Sequence, residues 1–457
     1  MPRRKNQDNP IDTSEEIIRN AIAQSREGSN CAHNRGAGCT VEHVQIKHSS
    51  QLPDLNKEQL KKALRYMLLA RKSDEKHFTL VKQGKSFFHI GCSGHEAMQV
   101  AIGMALKQIH DWGWTYYRDT AFAYAMGMTA KEYFLLATGK PEDPSTGGRQ
   151  MPGHFGNKNL NLPTSSSSTG TQYLNAVGTA LASKKLGTDE VTYVSSGEGT
   201  TSQGEFYEAV NWASREKLPV LFAVQDNGYA ISVPREKQSM GGNVAHTFCC
   251  YSNLRMKTFD GTNFLEAYKA AKDAVLHIRS GKGPVLLHGM VERLVPHSSS
   301  DDQRKYRKAD ELEFAKKERD CIQIFKKYLL ENNIFTNKEL EQIDNEIKQE
   351  VDDAADWALS RPDAKSEDST KHVFADIKTR ELNYSIEEPK SGEKVVMVDA
   401  INHALSEELA KNPKMLVFGQ DIADPKGGVF TATKGLSKYG EERVFNSPLA
   451  EASIIGV

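Results

Sequence analysis

The chain has only six cysteines in 457 residues, too few for the disulfide framework of a secreted scaffold. No apolar run approaches the roughly 20 residues that cross a bilayer, which excludes a helical membrane span. The opening stretch, MPRRKNQDNPIDTSEE, lacks the apolar core of a signal peptide and carries acids too early for a transit peptide, so a cytoplasmic protein is expected. Charge of one sign is also missing. Lys+Arg number 59 and Asp+Glu 60, for a net charge of -1, without the basic surplus that nucleic acid or anionic lipid would select. Neither nucleic acid nor membrane is an expected partner. What remains is a soluble globular composition, 38% hydrophobic and 26% charged, in a chain long enough for about three domains.

Residues 1–52 are polar and poorly periodic and read as a flexible extension. Cys31, His33, Cys39 and His43 fall within it, but zinc-finger spacing is tighter, so they are assigned to the extension and not to a metal site. From Asn56 the pattern turns helical. Leu60, Leu64, Met67, Leu68 and Leu69 share one face, on a helix begun by Asp54 or Asn56. Strands and helices then alternate to about Glu292, which predicts an α/β fold, a parallel sheet with helices on both faces. Residues 308–358 are charged and helical, with a packing stripe through Ile322, Phe325, Leu329 and Leu330. The resulting domain plan is 53–360, a linker at 361–393, and a second α/β unit at 394–457. The adjacent Cys249 and Cys250 are expected to be packed.

The densest chemistry lies between Val191 and Pro234. An apolar run through Val194 predicts a buried strand, and Gly197-Glu198-Gly199 follows at its end, where glycine allows a tight turn and close approach to a ligand. A helix with Phe206, Val210 and Trp212 on its apolar face leads to a second buried strand, Val220 to Val224, and then to Asp226-Asn227-Gly228. In a parallel sheet both strand ends emerge at one edge, so Glu198 and Asn227 are expected to meet. Two oxygen ligands beside phosphate-facing amides suit Mg2+, and a main-chain carbonyl near Tyr229 would add a third. Taken alone, Gly-Glu-Gly reads first as a strand-turn-helix with a solvated glutamate; the Asp-Asn-Gly at the second strand end reverses that reading. Upstream, Tyr116-Tyr117-Arg118-Asp119 offers a guanidinium able to grip phosphate through two parallel bonds; pairing of Arg118 with Asp119 or a helix end is the alternative.

The segment Val191–Pro234 resembles the thiamine diphosphate signature of the alpha subunit of 2-oxo acid dehydrogenases, with Glu198 where many relatives carry aspartate. Residues 394–457 resemble the opening of the beta subunit, so the resemblance implies fused alpha and beta parts in a thiamine diphosphate-binding fold, with the start of a pyrimidine-binding domain. It also implies that Tyr117, Arg118, Ser167, Gly197, Glu198, Gly199, Thr200, Asn227, Tyr229, His297 and Glu451 contact the cofactor, and that Glu198, Asn227 and Tyr229 hold Mg2+. The block Ser165–Gln172 resembles the pyrimidine-contacting segment. In the branched-chain branch it holds K+, which would fall to Ser166, Thr171 and Gln172. Two positions depart from the pattern: Thr169 replaces a bulky aliphatic residue, and Gln225 a basic residue found in some relatives.

Arg293-Leu-Val-Pro-His297-Ser298-Ser299-Ser300-Asp301-Asp302 resembles an ordered loop at the active-site mouth, with His297 as a catalytic proton donor or shuttle. His89 is expected to be a satisfied core histidine. Glu451, within Asn446-Ser-Pro-Leu-Ala-Glu451, matches the family's essential glutamate, which faces the aminopyrimidine ring. The resemblance implies decarboxylation of a 2-oxo acid, branched-chain over pyruvate, with acyl transfer to the lipoyl group of a partner acyltransferase, and a homodimer of fused chains. Another thiamine enzyme of transketolase or acetoin-cleaving type, and a non-catalytic assembly subunit, remain as alternatives. The chain stops at Val457, where relatives continue, so a partial gene product is expected.

Overall fold

The apolar face that begins at Leu60 forms the helix Lys57–Lys82. Asn56 caps it: its side chain accepts the Gln59 amide, and the Gln59 side chain returns to the Asn56 amide, satisfying two end donors at once. Leu60, Leu64, Met67, Leu68 and Leu69 are all buried, as the spacing predicts. The computed structural model describes residues 55–239, 243–373, 392, 394–428 and 430–457, except for the side chain of His246. The four cysteine and histidine positions between 31 and 43 lie outside the described residues. Contacts divide the chain into two compact units, with the break between Ala364 and Lys365.

In the first unit, the buried runs become β1 (Trp112–Trp114), β2 (Thr192–Gly197) and β3 (Val220–Asp226). A short hairpin, β4 (Tyr229–Ala230) with β5 (Val233–Pro234), comes next, then β6 (Arg255–Asp260) and β7 (Val285–Met290). Five strands form one parallel sheet in the order β1-β2-β3-β7-β6. Every residue of β3 and of β7 is buried, as a parallel sheet covered on both faces requires. Alternate side chains serve opposite layers. Tyr193 stacks on Phe122 at 3.9 Å, while Phe222, on the other face, meets the rings of Tyr173 and Phe206 at 6.1 and 6.2 Å. The helices Cys321–Glu331 and Asn337–Leu359 close over the first layer. Their stripe packs as expected, with Ile322, Phe325 and Leu329 buried and Leu330 half-buried against the core.

Three expectations change in detail. The Gly-Glu-Gly segment does not pass straight into a helix: Glu198–Ser202 first makes a 3-10 turn, tightened by the Thr201 hydroxyl on the Glu198 carbonyl at 2.7 Å, and the helix Gly204–Glu216 follows. The start of the linker is tied down. Arg361 forks onto the Glu142 carboxylate, and the Lys140 ammonium holds the Arg361 carbonyl and Asp363 at 3.0 and 2.6 Å. Cys250 is exposed and Cys249 half-buried, with their sulfurs 3.7 Å apart, because the short helix Val244–Thr247 ends before them.

The second unit holds the helix Met397–Lys411 and a parallel pair, β8 (Val417–Gly419) and β9 (Val444–Asn446). Leu409, Leu436 and Val444 form its small core. Arg443 closes the helix end by donating to the Leu409 and Asn412 carbonyls at 2.8 and 2.7 Å. No helix among the described residues is long and apolar enough to cross a membrane.

Candidate active site

Register places the site. Gly197 of β2 lies opposite Gln225 of β3, so Glu198 and Asn227 leave the sheet at the same edge. The Asn227 amide donates to Glu198 Oε2 at 3.2 Å. Glu198 is only 1% exposed, and its other oxygen, Oε1, is buried with no hydrogen-bond partner. An acceptor stranded in this way costs about 1–3 kcal/mol unless something fills it. Burial, followed by the negative charge of Asp226, pushes the Glu198 carboxyl up to about 8. Burial also opposes charge on Asp226, but Arg235 and the His288 hydrogen bond outweigh it and hold that carboxyl below the usual range. Gly199 is needed for packing, since a Cβ there would come within 2.5 Å of Ala230. At Gly197 a Cβ would meet only the Gln225 carbonyl, at 3.9 Å, which leaves the strand end open. Thr200, in the 3-10 turn, is buried.

A second group forms around Arg118, which is 2% exposed. Its Nη1 donates to the Gly91 carbonyl at 2.5 Å, and its Nη2 lies 3.3 Å from both Nδ1 and the carbonyl of His297. Tyr117 packs against this pair, 5.4 Å from the guanidinium and 6.0 Å from the imidazole. Burial, with the charges of Arg118 and Arg293, lowers His297 to about 4, so the ring is neutral near pH 7. Asp119 does not pair with Arg118. It accepts from Ser195, Tyr193 and Gln225 beneath the site.

Gln225 joins the two groups. Its carbonyl accepts from Gln99 at 2.8 Å and lies 2.9 Å from His95 Nδ1. Gln99 also donates to the Arg118 carbonyl, while His95 Nε2 lies 3.4 Å from the Asn227 side-chain nitrogen Nδ2. A neutral amide that both donates and accepts thus occupies the centre of this network. Local pattern offered no signal for His95 or Gln99, whose roles arise from this long-range packing.

The loop carrying His297 is held at several points. The His297 amide and the Tyr306 hydroxyl both donate to Asp301 Oδ2, at 2.8 and 2.5 Å, and Arg293 Nη2 donates to that hydroxyl at 2.8 Å. The backbones of Ser299 and His89 pair at 2.8 Å. His89 itself is buried, with its ring 4.4 Å from that of His77 and Nε2 3.7 Å from Asp74. Arg293 was legible only as the start of the loop block. It is 1% exposed, and its Nε and Nη1 have no partners. The Tyr306→Phe variant should release Asp301, raising protease cleavage between residues 297 and 306 and lowering turnover about 10-fold, on the basis of about 1–1.5 kcal/mol for the lost bond. Unchanged cleavage would contradict this account of the loop.

The remaining predicted residues are more scattered. Ser167 Oγ lies 2.7 Å from His154 Nε2. Ser166 Oγ accepts the Ser168 amide, the Thr171 hydroxyl donates to the Ser168 carbonyl, and Gln172 Oε1 accepts the Gly170 amide. Glu451, in the second unit, is exposed at the start of the helix Glu451–Gly456, and a hydrogen bond from Gln420 holds it below the usual range.

The dehydrogenase E1 component family matches residues 64–367. The chain belongs to that family. The pyrimidine-binding domain of transketolase matches residues 393–457 of the same E1 chain. The alpha subunit of 2-oxoisovalerate dehydrogenase from Bacillus subtilis is 41% identical over 311 residues, 68% of this chain and 94% of that one. The alpha subunit of the pyruvate dehydrogenase E1 component from the same organism is 31% identical over 334 residues, covering 73% and 86%. Its Staphylococcus aureus (strain Mu50) counterpart is 32% identical over 319 residues, covering 68% and 82%. This E1 chain is therefore a thiamine diphosphate-dependent 2-oxo acid dehydrogenase of the alpha type, which works with an acyltransferase core.

The residues of the first unit fit the diphosphate and a divalent cation. Glu198 Oε1 is an unfilled carboxylate oxygen, and Arg293 Nε and Nη1 are unfilled donors. No group of three or more His, Cys, Asp or Glu able to hold a metal exists among the described residues. A cation at Glu198 would therefore draw on amide, carbonyl and phosphate oxygens, as Mg2+ does.

Proposed function

We propose that the chain decarboxylates a branched-chain 2-oxo acid such as 3-methyl-2-oxobutanoate and passes the acyl unit to the lipoyl group of its acyltransferase partner. The observation that carries the cofactor half of this reading is the buried, unfilled Glu198 oxygen beside Asn227. Thiamine diphosphate, when bound, supplies the electron sink for loss of carbon dioxide. Glu198, the Asn227 side chain and the Tyr229 carbonyl hold Mg2+. Gly197, Gly199 and Thr200 shape the turn that receives the diphosphate, while Arg118, with Tyr117 packed on it, binds and orients it. Ser167 would face the pyrimidine of a cofactor held by the first unit, and Glu451, through the match of the second unit to a pyrimidine-binding domain, would hold a proton at a ring nitrogen of a cofactor bound there.

The role of His297 follows from its neighbours. A neutral imidazole that accepts from Arg118 at Nδ1 carries its proton on Nε2, which can donate to an oxygen developing negative charge on the substrate. The identity of 41% to the 2-oxoisovalerate enzyme against 31% to the pyruvate enzyme favours a branched substrate. The pyruvate relatives support the second reading. Dye reduction with the chain, its complementary subunit parts, Mg2+ and thiamine diphosphate should favour 3-methyl-2-oxobutanoate over pyruvate about 10-fold or more, the scale on which a hydrophobic pocket separates substrates by methyl groups. A pyruvate preference would overturn the branched-chain assignment. Failure to acylate lipoamide would overturn the transfer step.

A further inference from the structure

The hairpin of β4 and β5 carries Tyr229, follows Asn227 after Gly228 alone and packs through Ala230 against Gly199. It holds an unfavourable conformation. Ile231, at its tip, has a φ of 58°, in the left-handed region where a β-branched side chain crowds the backbone. Such a residue persists only where its surroundings over-determine it. Here the tip is held by Arg293 Nη2, which donates to the Ile231 carbonyl at 3.0 Å.

The base is held by a buried charged cluster. Arg235, immediately after β5, donates through Nη1 to Asp226 Oδ2 at 3.1 Å, and His288 Nε2 lies 2.8 Å from the same oxygen. Asp226 Oδ1 accepts the Gly228 amide at 2.9 Å, and the Arg235 amide donates back to the Gly228 carbonyl at 2.9 Å. The side chains of Asp226, His288 and Arg235 are 0%, 1% and 5% exposed. Burying such a pair costs several kcal/mol of desolvation, which its own attraction offsets only in good geometry. A surface loop with no positional task would not need it.

The geometry points to Asp226, Arg235 and His288 as positioning residues: a buried clamp that fixes the Asn227–Pro234 hairpin and so sets where the Asn227 and Tyr229 oxygens stand relative to Glu198. This rests on the reading of Glu198 and Asn227 as cation ligands. The clamp touches neither substrate nor cation. It makes the cation site rigid before the cation arrives, which lowers the ordering cost of binding.

Two readouts on the full chain test it. One is hydrogen exchange of the amides between residues 227 and 235 without ligand. The other is the Mg2+ concentration that half-saturates thiamine diphosphate binding, read from tryptophan fluorescence. Asp226→Asn keeps the shape and removes the charge; Arg235→Met removes the other half of the pair. Each should speed hairpin exchange about 10-fold and raise the Mg2+ requirement about 10-fold, the scale of one charged hydrogen bond. Exchange in β2 should stay slow, and Arg235→Lys should recover most of both losses.

The sign for Arg235→Met separates positioning from simple electrostatics. Removing a positive charge beside Glu198 would by Coulomb attraction alone tighten Mg2+, whereas loss of the clamp weakens it. Tightened binding, or either readout unchanged in Asp226→Asn, overturns the clamp. A parent chain that binds no Mg2+ with thiamine diphosphate instead overturns the reading of the site, while the exchange result still decides whether the hairpin is clamped.

Discussion

The Glu198→Gln variant is expected to bind Mg2+ with thiamine diphosphate about 100-fold more weakly than the parent, a loss of about 2.7 kcal/mol, and to gain stability relative to it as pH rises. Both effects come from one buried oxygen. Glu198 Oε1 has no partner in the protein, and a neutral amide in its place brings no negative charge to a divalent ion. In the ligand-free chain that carboxyl is pushed from 4.5 up to about 8, first by burial and then by Asp226. Between those values the folded state keeps a proton that the unfolded state has released, so stability falls as pH rises through the interval. The amide has no such dependence. Urea unfolding in EDTA at pH 6 and pH 8.5 should move the difference in favour of Glu198→Gln by about 1–3 kcal/mol. A gap that does not change with pH, or undiminished cofactor binding, would remove Glu198 from the cation site.

Arg118→Gln should lower kcat/KM for the preferred 2-oxo acid about 100- to 10,000-fold, from the loss of two charged hydrogen bonds at about 1.5–3 kcal/mol each. The guanidinium links the Gly91 carbonyl to His297 while facing the proposed diphosphate position, so cofactor anchoring and loop seating fail together. The pH profile distinguishes this from simple unfolding. Burial is the main cause of the low value of about 4 for His297, and the Arg118 charge comes next. With that charge gone, the imidazole should take its proton at a higher pH, and the acid limb of kcat/KM should move upward. An unmoved limb with kcat/KM within about threefold of the parent would sink the assignment.

Much of this was readable in the residues themselves. The all-apolar run Val220–Val224 could only be a strand buried on both faces, and the Leu60–Leu69 spacing could only bury one helix face. Gly197-Glu198-Gly199 and Asp226-Asn227-Gly228 followed such strands, so their meeting was predictable from parallel topology. The polar framework was not. Gln225 looked like the loss of a cation, but in the fold its amide joins His95, Gln99 and Asp119, residues brought together by different helices and turns. Arg235 and His288 lie far apart in the chain and carried no pattern, yet both close on Asp226. Cys250, adjacent to a partly buried neighbour, turned out exposed, because burial at a helix end depends on what packs over it.

The sequence by itself determined the order of strands and helices, the positions of the strand ends and the residue types available at them. Those features follow from local periodicity and from the direction of a parallel sheet. Only the tertiary structure decided ionisation and positioning: that Glu198 resists losing its proton, that His297 is neutral, and that a strained hairpin is held by an ion pair. These depend on desolvation and on charges a few ångströms away, and distance in space is not written in distance along the chain.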